Sequence, residues 1–244
     1  MRAFLEKHGT EWLDDFVYIS NMPLQNLGVK VIPFDGTFLN DFIEKTSFKK
    51  DDILIGSVEA TIAFFKANNI VVPNYIGYPS PIEKYLGRKI IKDTLKNVIN
   101  HPFPWFVKPA NDVKKFTGSL VENNTQLDIL HKFMGVKYED EIYYSDVIPN
   151  ILSEYRCFIH KGELKGIQWY LGDFTKFPDV NIINNMIKDY KDAPVSYTLD
   201  VAVTDDSTIL IEVNDMWAIG SYGLGGRIYV RMCIDRFQEI INKK

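Results

Sequence analysis

Residues 196–215, SYTLDVAVTDDSTILIEVND, hold two period-two runs joined by a polar turn. In the first run Tyr197, Leu199, Val201 and Val203 share one face, and Asp200 points the other way. In the second run Ile209, Ile211 and Val213 share one face, while Leu210, Glu212 and Asn214 share the other. A hairpin centred on Asp206 sets Asp200 directly opposite Glu212; a four-residue loop would offset the two. In the first register two carboxylates and an amide oxygen converge on one face. Like charges directly opposed destabilise a sheet unless something neutralises them. A hard divalent cation does so, and magnesium usually takes one or two carboxylates plus substrate phosphates. No His or Cys lies nearby, so Asp200, Glu212 and Asn214 suit magnesium with a nucleotide better than zinc. An ordinary amphipathic hairpin with a solvated polar face is the alternative.

Upstream, SEYRCFIHKGELKGIQWY, residues 153–170, is a second hairpin turning near His160 and Gly162. Glu154, Arg156 and Phe158 share one face. A guanidinium among such neighbours needs an acceptor, either a phosphate or carboxylate held in bidentate fashion or a plain pair with Glu154 or another acid. Further back, FVKPANDVKKFTGS, residues 106–119, places Lys108 at the end of an apolar strand. An ammonium beside Trp105, Phe106 and Val107 calls for an anion. The loop after it carries Lys114, Lys115, Thr117, Gly118 and Ser119, a supply of charge, hydroxyls and backbone N–H groups for phosphate oxygens. These lysines also suit an ordinary surface turn, and the spacing is not that of a Walker A loop.

The rest of the chain divides in two. Residues 2–6, 29–34, 52–55 and 71–76 are expected strands, with helices over 11–27 and 58–68. That alternation predicts a small parallel α/β unit. The break at 77–81 sets a boundary, giving an N-terminal domain over 1–82 and a second over 83–244. In the second, apolar spacing predicts a helix over 86–99 and a short one over 127–133. Strands are expected over 105–108, 119–122, 141–148, 154–160, 164–172, 196–204 and 208–214, with a last helix over 227–241. The hairpin-like spacing makes this half α+β and mostly antiparallel. The turn at Gly56 and Ser57 presents helix N-terminal N–H groups, which suit either a substrate carboxylate or a plain strand-to-helix turn.

Composition narrows the function. The 244 residues are 46% hydrophobic and 25% charged, enough for a packed core. The net charge of −4 gives no general grip on nucleic acid. No apolar run approaches the roughly 20 residues of a membrane span, and the N-terminus turns charged too early for a secretory signal. Cys157 and Cys233 lack metal or CxxC spacing, which points to buried thiols in a reducing, cytoplasmic setting.

Taken in order, a lysine on a strand, a small-residue loop, Glu-x-Arg, Asp and Glu-x-Asn resemble the ATP-grasp superfamily. The likeness is strongest to its small branch named for one arginine and two lysines. FVKPA, KKFTG, SEYRCFI, YTLDVAV and LIEVNDMWAIGSYG carry it, over about residues 86–241. The part before them is similar in position to a pre-ATP-grasp domain. The resemblance implies an ATP-grasp fold, two α+β subdomains clasping ATP, preceded by a small parallel α/β domain. It implies ATP and Mg2+, with Lys108 on the α- and β-phosphates and Lys114 or Lys115 over the phosphates. Tyr144, Ser145, Asp146, Val147 and Ile148 would form the adenine hinge, Arg156 would hold the γ-phosphate or acyl-phosphate oxygens, and Asp200, Glu212 and Asn214 the metal. The glycine-rich loop of larger relatives is reduced to Gly118. The implied activity joins a carboxylate, activated as an acyl phosphate, to an amine or similar nucleophile. The substrate would be a small molecule, a peptide or a protein terminus, contacted by Gly56, Ser57, Trp217, Ser221 and Tyr222. A non-catalytic nucleotide-binding module and a metal-dependent phosphoesterase are the rival readings. Asp200→Asn is expected to abolish turnover and spare the fold.

Overall fold

A short run of fully buried residues, Ala3 to Leu5, begins the chain. The computed structural model describes residues 1–110 and 116–242. Its first unit runs β1 (Arg2–His8), β2 (Glu11–Trp12), α1 (Asp15–Asn26), β3 (Lys30–Asp35), α2 (Leu39–Lys45), β4 (Ile53–Ile55) and α3 (Val58–Ala67). β1 lies parallel to both β3 and β4 and antiparallel to the short β2. Ala3, Phe4 and Leu5 are buried in succession, as in a parallel strand covered on both faces. The predicted helix over 11–27 starts late because Asp14 takes the N-cap and accepts from the Asp15 N–H.

The chain continues with β5 (Ile90–Thr94), α4 (Leu95–Val98), β6 (Trp105–Pro109), β7 (Ser119–Val121), α5 (Asn124–Asp128) and β8 (Glu141–Ser145). These strands form an antiparallel sheet in the order β5-β8-β6-β7. The helix predicted over 86–99 is corrected here. Ile90 to Thr94 pair with β8 instead, and only Leu95–Val98 is helical. The β-branched Ile90 and Ile91 fit a pleated sheet, and an available partner strand overrides the helical spacing.

The last part holds β9 (Ser153–His160), β10 (Glu163–Gly172), α6 (Val180–Asp189), β11 (Ser196–Val203), β12 (Thr208–Asp215) and α7 (Gly226–Asn242). They form an antiparallel sheet in the order β10-β9-β11-β12. Its outer face packs Tyr155, Cys157, Tyr197, Leu199, Val201, Leu210 and Val213 against Ile183 and Met186 of α6. α6 did not emerge from the sequence reading.

Nor does a strand form over 71–76. Instead Gly77 bridges to Val213 on β12, with N–H···O contacts of 3.1 and 2.8 Å. The chain leaving the first unit is thereby laced to the strand carrying Glu212. α7 closes the molecule from the other end. It buries Tyr229, Val230, Met232, Cys233 and Phe237 in one core with β1, β4, α1 and α3. A line at residue 82 runs between the sheets, while this core crosses it.

Candidate active site

The hairpin of β11 and β12 shows how the acids meet. Near the turn the partners are Val203↔Thr208, Ala202↔Ile209 and Val201↔Leu210, which leaves a four-residue loop. A bulge then skips Ile211, and Asp200 faces Glu212, with Thr198 opposite Asn214 beyond. The offset that a four-residue loop imposes is cancelled one step before the acids. The bulge also corrects the expected faces: Leu210 packs in the core with Val213, not beside Glu212.

Pairing across the sheet extends this to a row, Gln168↔Arg156↔Asp200↔Glu212, contributed by all four strands. Arg156 donates from Nε to Asp200 Oδ1 at 2.8 Å and from Nη2 to Oδ2 at 2.7 Å. Both residues are buried, at 7% and 3% exposure. The acceptor of Arg156 is thus Asp200 and not Glu154. Burial opposes the Arg156 charge, but Asp200 more than offsets it and holds the guanidinium above its ordinary pKa. For Asp200, burial wins over Arg156 and pushes the carboxyl above the usual carboxylate range. Asn214 Nδ2 donates to Asp200 Oδ2 at 3.1 Å and to Glu212 Oε1 at 3.0 Å.

Lys108 reaches into this face from the other sheet. It lies on β6 opposite Tyr143 of β8, and its ammonium bonds Glu212 Oε2 and the Tyr75 hydroxyl. Burial works against Glu212 ionising, but Lys108, with hydrogen bonds from Lys108, Asn214 and Tyr75, holds its pKa below the ordinary value. Tyr75 itself donates to Glu212 Oε2 at 2.9 Å. Its ring and that of Tyr78 flank the ammonium at 4.8 and 5.3 Å. Both tyrosines come from the segment laced to β12, which the sequence reading treated as strand and break. Arg88 was also missed. Its Nε donates to Ser145 Oγ at 3.0 Å at the end of β8, and burial lowers its pKa. It has no ion-pair partner among the described residues. The available signals were an aromatic pair three residues apart, and one arginine between Gly87 and Lys89.

The other expected contacts divide. Asp146, Val147 and Ile148 directly follow β8, beside Ser145 and Arg88. Lys114 and Lys115 lie outside the described residues. At Gly56 and Ser57 the anion position is filled by the chain itself: Ser57 N donates to Glu6 Oε2 at 2.6 Å, and Ser57 Oγ caps Ala60 N. A Cβ at Gly56 would fall 2.4 Å from the same oxygen. Trp217 packs on Phe65 of α3, with ring centroids 5.6 Å apart. Ser221 is buried and bonds Asp15 at the start of α1. Of the expected substrate contacts, Tyr222 reaches the charged row, its ring centroid 4.4 Å from Arg156 Cζ. Its loop lies close over β10 because Gly166 has no side chain. A Cβ there would come within 2.6 Å of Leu224 Cδ1.

As a metal site, the described residues hold no group of three or more His, Cys, Asp and Glu arranged for an ion. Two carboxylates meet the need of magnesium when phosphates supply further oxygens. Asn214 already sits between both carboxylates, and turning its amide over presents Oδ1 there. The donor set therefore fits a hard cation that arrives with a phosphate ligand.

The chain is similar to known proteins in sequence and in fold. Residues 85–232 match the family model for the ATP-grasp domain, R2K clade family 2. No curated protein sequence matches the chain. Among solved structures, it is similar to the D-alanine–D-alanine ligase from Bacillus anthracis complexed with ATP. The identity is 16% and the TM-score 0.59, covering 99% of this chain and 98% of that one. A RimK domain ATP-grasp protein from Sphaerobacter thermophilus gives 14% and 0.57, covering 98% and 100%. The L-amino acid ligase from Bacillus licheniformis gives 13% and 0.56, covering 99% of this chain and 74% of that one.

Proposed function

The chain belongs to family 2 of the R2K clade of ATP-grasp domains, and from that premise we propose that it is an ATP-dependent ligase joining a carboxylate to an amine. The observation that carries the reading is the row Arg156–Asp200–Glu212 with Lys108 bound to Glu212 from the facing sheet. It gathers phosphate-binding cations and oxygen donors for a cation between two sheets. No activated nucleophile is needed there: both cysteines are buried and burial raises their pKa values.

The roles follow from charge. Asp200, Glu212 and Asn214 hold magnesium, which when bound supplies positive charge to phosphate oxygens. Lys108 exchanges Glu212 for the α- and β-phosphates, and Arg88 meets phosphate or base beside the hinge at 146–148. Lys114 or Lys115 covers the phosphates. Arg156, held flat by Asp200, offers its remaining N–H groups to the transferred phosphoryl group. A substrate carboxylate oxygen attacks the γ-phosphorus, and ADP leaves with the electron pair of the broken P–O bond. The amine nitrogen then attacks the acyl carbon, phosphate departs with its bonding pair, and the amine loses a proton. Positioning and charge neutralisation supply the catalysis. The substrates are small molecules, peptides or protein termini.

Thermal melting with magnesium and ATP, alone and together, tests the first half. A ligand at 100 times its dissociation constant adds roughly 2.7 kcal/mol to the native state. A magnesium-dependent rise lost in Lys108→Ala is expected. Hydroxylamine trapping during ATP turnover, with amino acids and short peptides as carboxylate donors, tests the second half. Coloured hydroxamate with ADP release supports acyl-phosphate chemistry; phosphate release from phosphoesters without ATP would overturn it.

A further inference from the structure

Along β9 from Arg156, the same sheet face carries a second group of side chains. Glu154 precedes Arg156 by two residues on β9 and is half-buried. Tyr170 of β10 donates its hydroxyl to Glu154 Oε2 at 2.8 Å. Among the described residues Glu154 has no cation at ion-pair distance. Burial, together with the charges of Asp200 and Glu212, holds the Glu154 carboxyl above its ordinary pKa, while the bond from Tyr170 and the charge of Arg88 oppose the rise. The Arg156 charge is matched by Asp200 through two hydrogen bonds, so Glu154 is left without Arg156 as a partner.

Tyr222 completes the wall. Its ring lies over Arg156 and 5.5 Å from the ring of Tyr170. It adopts φ +47°, a left-handed conformation uncommon for an aromatic residue. The strain is sustained by its neighbours: Ser221 Oγ donates to Asp15 Oδ2 at 3.1 Å, and Leu224 is seated over Gly166. Tyr222 is nevertheless 46% exposed, so the space beside it opens to solvent.

A carboxylate bonded by one phenol attracts an ammonium group through charge, and the Tyr222 ring, which holds Arg156 on one face, leaves its other face for the same cation. It repels a second carboxylate and offers little to a neutral hydroxyl. Resting on the ligase reading above, we propose that Glu154, Tyr170 and Tyr222 form the subsite for the attacking nucleophile, and that the subsite selects an amine that binds as its ammonium and gives one proton to solvent before its nitrogen attacks. Glu154 is its specificity-determining residue; Tyr170 is a positioning residue that fixes the carboxylate.

The test uses the full chain loaded with magnesium and a nonhydrolysable ATP analogue. Glycinamide is titrated against its neutral isostere glycolamide at matched ionic strength, with melting temperature as the readout. Glycinamide is expected to raise the melting temperature in a saturable way and glycolamide to do so at least about tenfold less effectively. Glu154→Gln, which preserves the bond from Tyr170, and Tyr222→Ala should each weaken glycinamide about tenfold, while Tyr222→Phe keeps the ring and the response. Equal responses to the two probes, or an unchanged response in Glu154→Gln, would overturn the proposal. If the analogue with magnesium gives no stabilisation, the ligase reading fails first and the proposal falls with it. Stabilisation by the analogue without any effect of glycinamide refutes the proposal alone.

Discussion

Asp200→Asn removes one charge at nearly constant shape, and its cost can be worked from the surroundings. The carboxylate accepts from Nε and Nη2 of Arg156 at 2.8 and 2.7 Å, and both residues are buried. An Asn keeps one acceptor and turns an N–H₂ group toward a guanidinium N–H. Breaking a buried pair from one side costs about 3–5 kcal/mol, because the remaining charge stays buried. Against this, the facing Glu212 no longer meets a like charge. At ~5 Å and an effective dielectric of 20 that repulsion is about 3 kcal/mol. Lys108 on Glu212 already cancels most of it. A net loss of about 3 kcal/mol is therefore expected, against a total stability of about 5–15 kcal/mol for a native protein. The variant is therefore expected to keep the fold, at lower stability. Urea unfolding without nucleotide should show the midpoint falling by about 1–1.5 M for a slope of about 2–3 kcal/mol per molar. A double-mutant cycle with Arg156→Met should return a coupling of at least about 2 kcal/mol. A loss under about 1 kcal/mol with coupling under about 0.5 would refute the interdependence of the pair.

Three further outcomes follow from other parts of the structure. Gly166→Ala should cost about 0.5–1.5 kcal/mol in chemical denaturation, since its Cβ meets Leu224 Cδ1 at 2.6 Å and that buried side chain must leave its rotamer. A neutral result would show that Leu224 repacks without strain. Ser57→Ala removes the hydroxyl that accepts from Ala60 N at 3.1 Å and should cost about 1 kcal/mol in the same assay. Burial pushes the Cys233 thiol up to about 12, so the unfolded chain ionises first and stability falls as pH rises past its unfolded value. With an unfolded pKa of about 8.5, the drop from this thiol by pH 9.5 is about 1.4 kcal/mol, and Cys233→Ala should flatten the pH profile by that amount.

Much of the fold was legible because period-two alternation is local. Tyr197, Leu199, Val201 and Val203 had to turn to one side and Asp200 to the other, and the structure keeps that division. The parallel first unit and the antiparallel second half likewise follow from short-range spacing. Residues 86–99 misled because their apolar spacing suits a helix, and only the presence of β8 as a partner makes Ile90 to Thr94 a strand. Residues 71–76 misled in the opposite sense: an apolar run with strand propensity gives up its ladder, and Gly77 alone bridges to β12.

At the site, sequence by itself determined which side chains were available and which face each takes within its own strand: Lys108, Glu154, Arg156 and Asp200. Tertiary structure alone decided which charge meets which. The turn by itself would have set Asp200 one residue off Glu212; the bulge at Ile211 restores the facing pair and moves Leu210 into the core. Arg156 finds Asp200 across 44 residues and Lys108 finds Glu212 across 104. Glu6 takes the Ser57 N–H across 51 residues, the place expected for a substrate. Side-chain direction is fixed by backbone geometry within a few residues. The pairing of buried charges is fixed by which distant strands share a sheet, and by the free energy of leaving none of them alone.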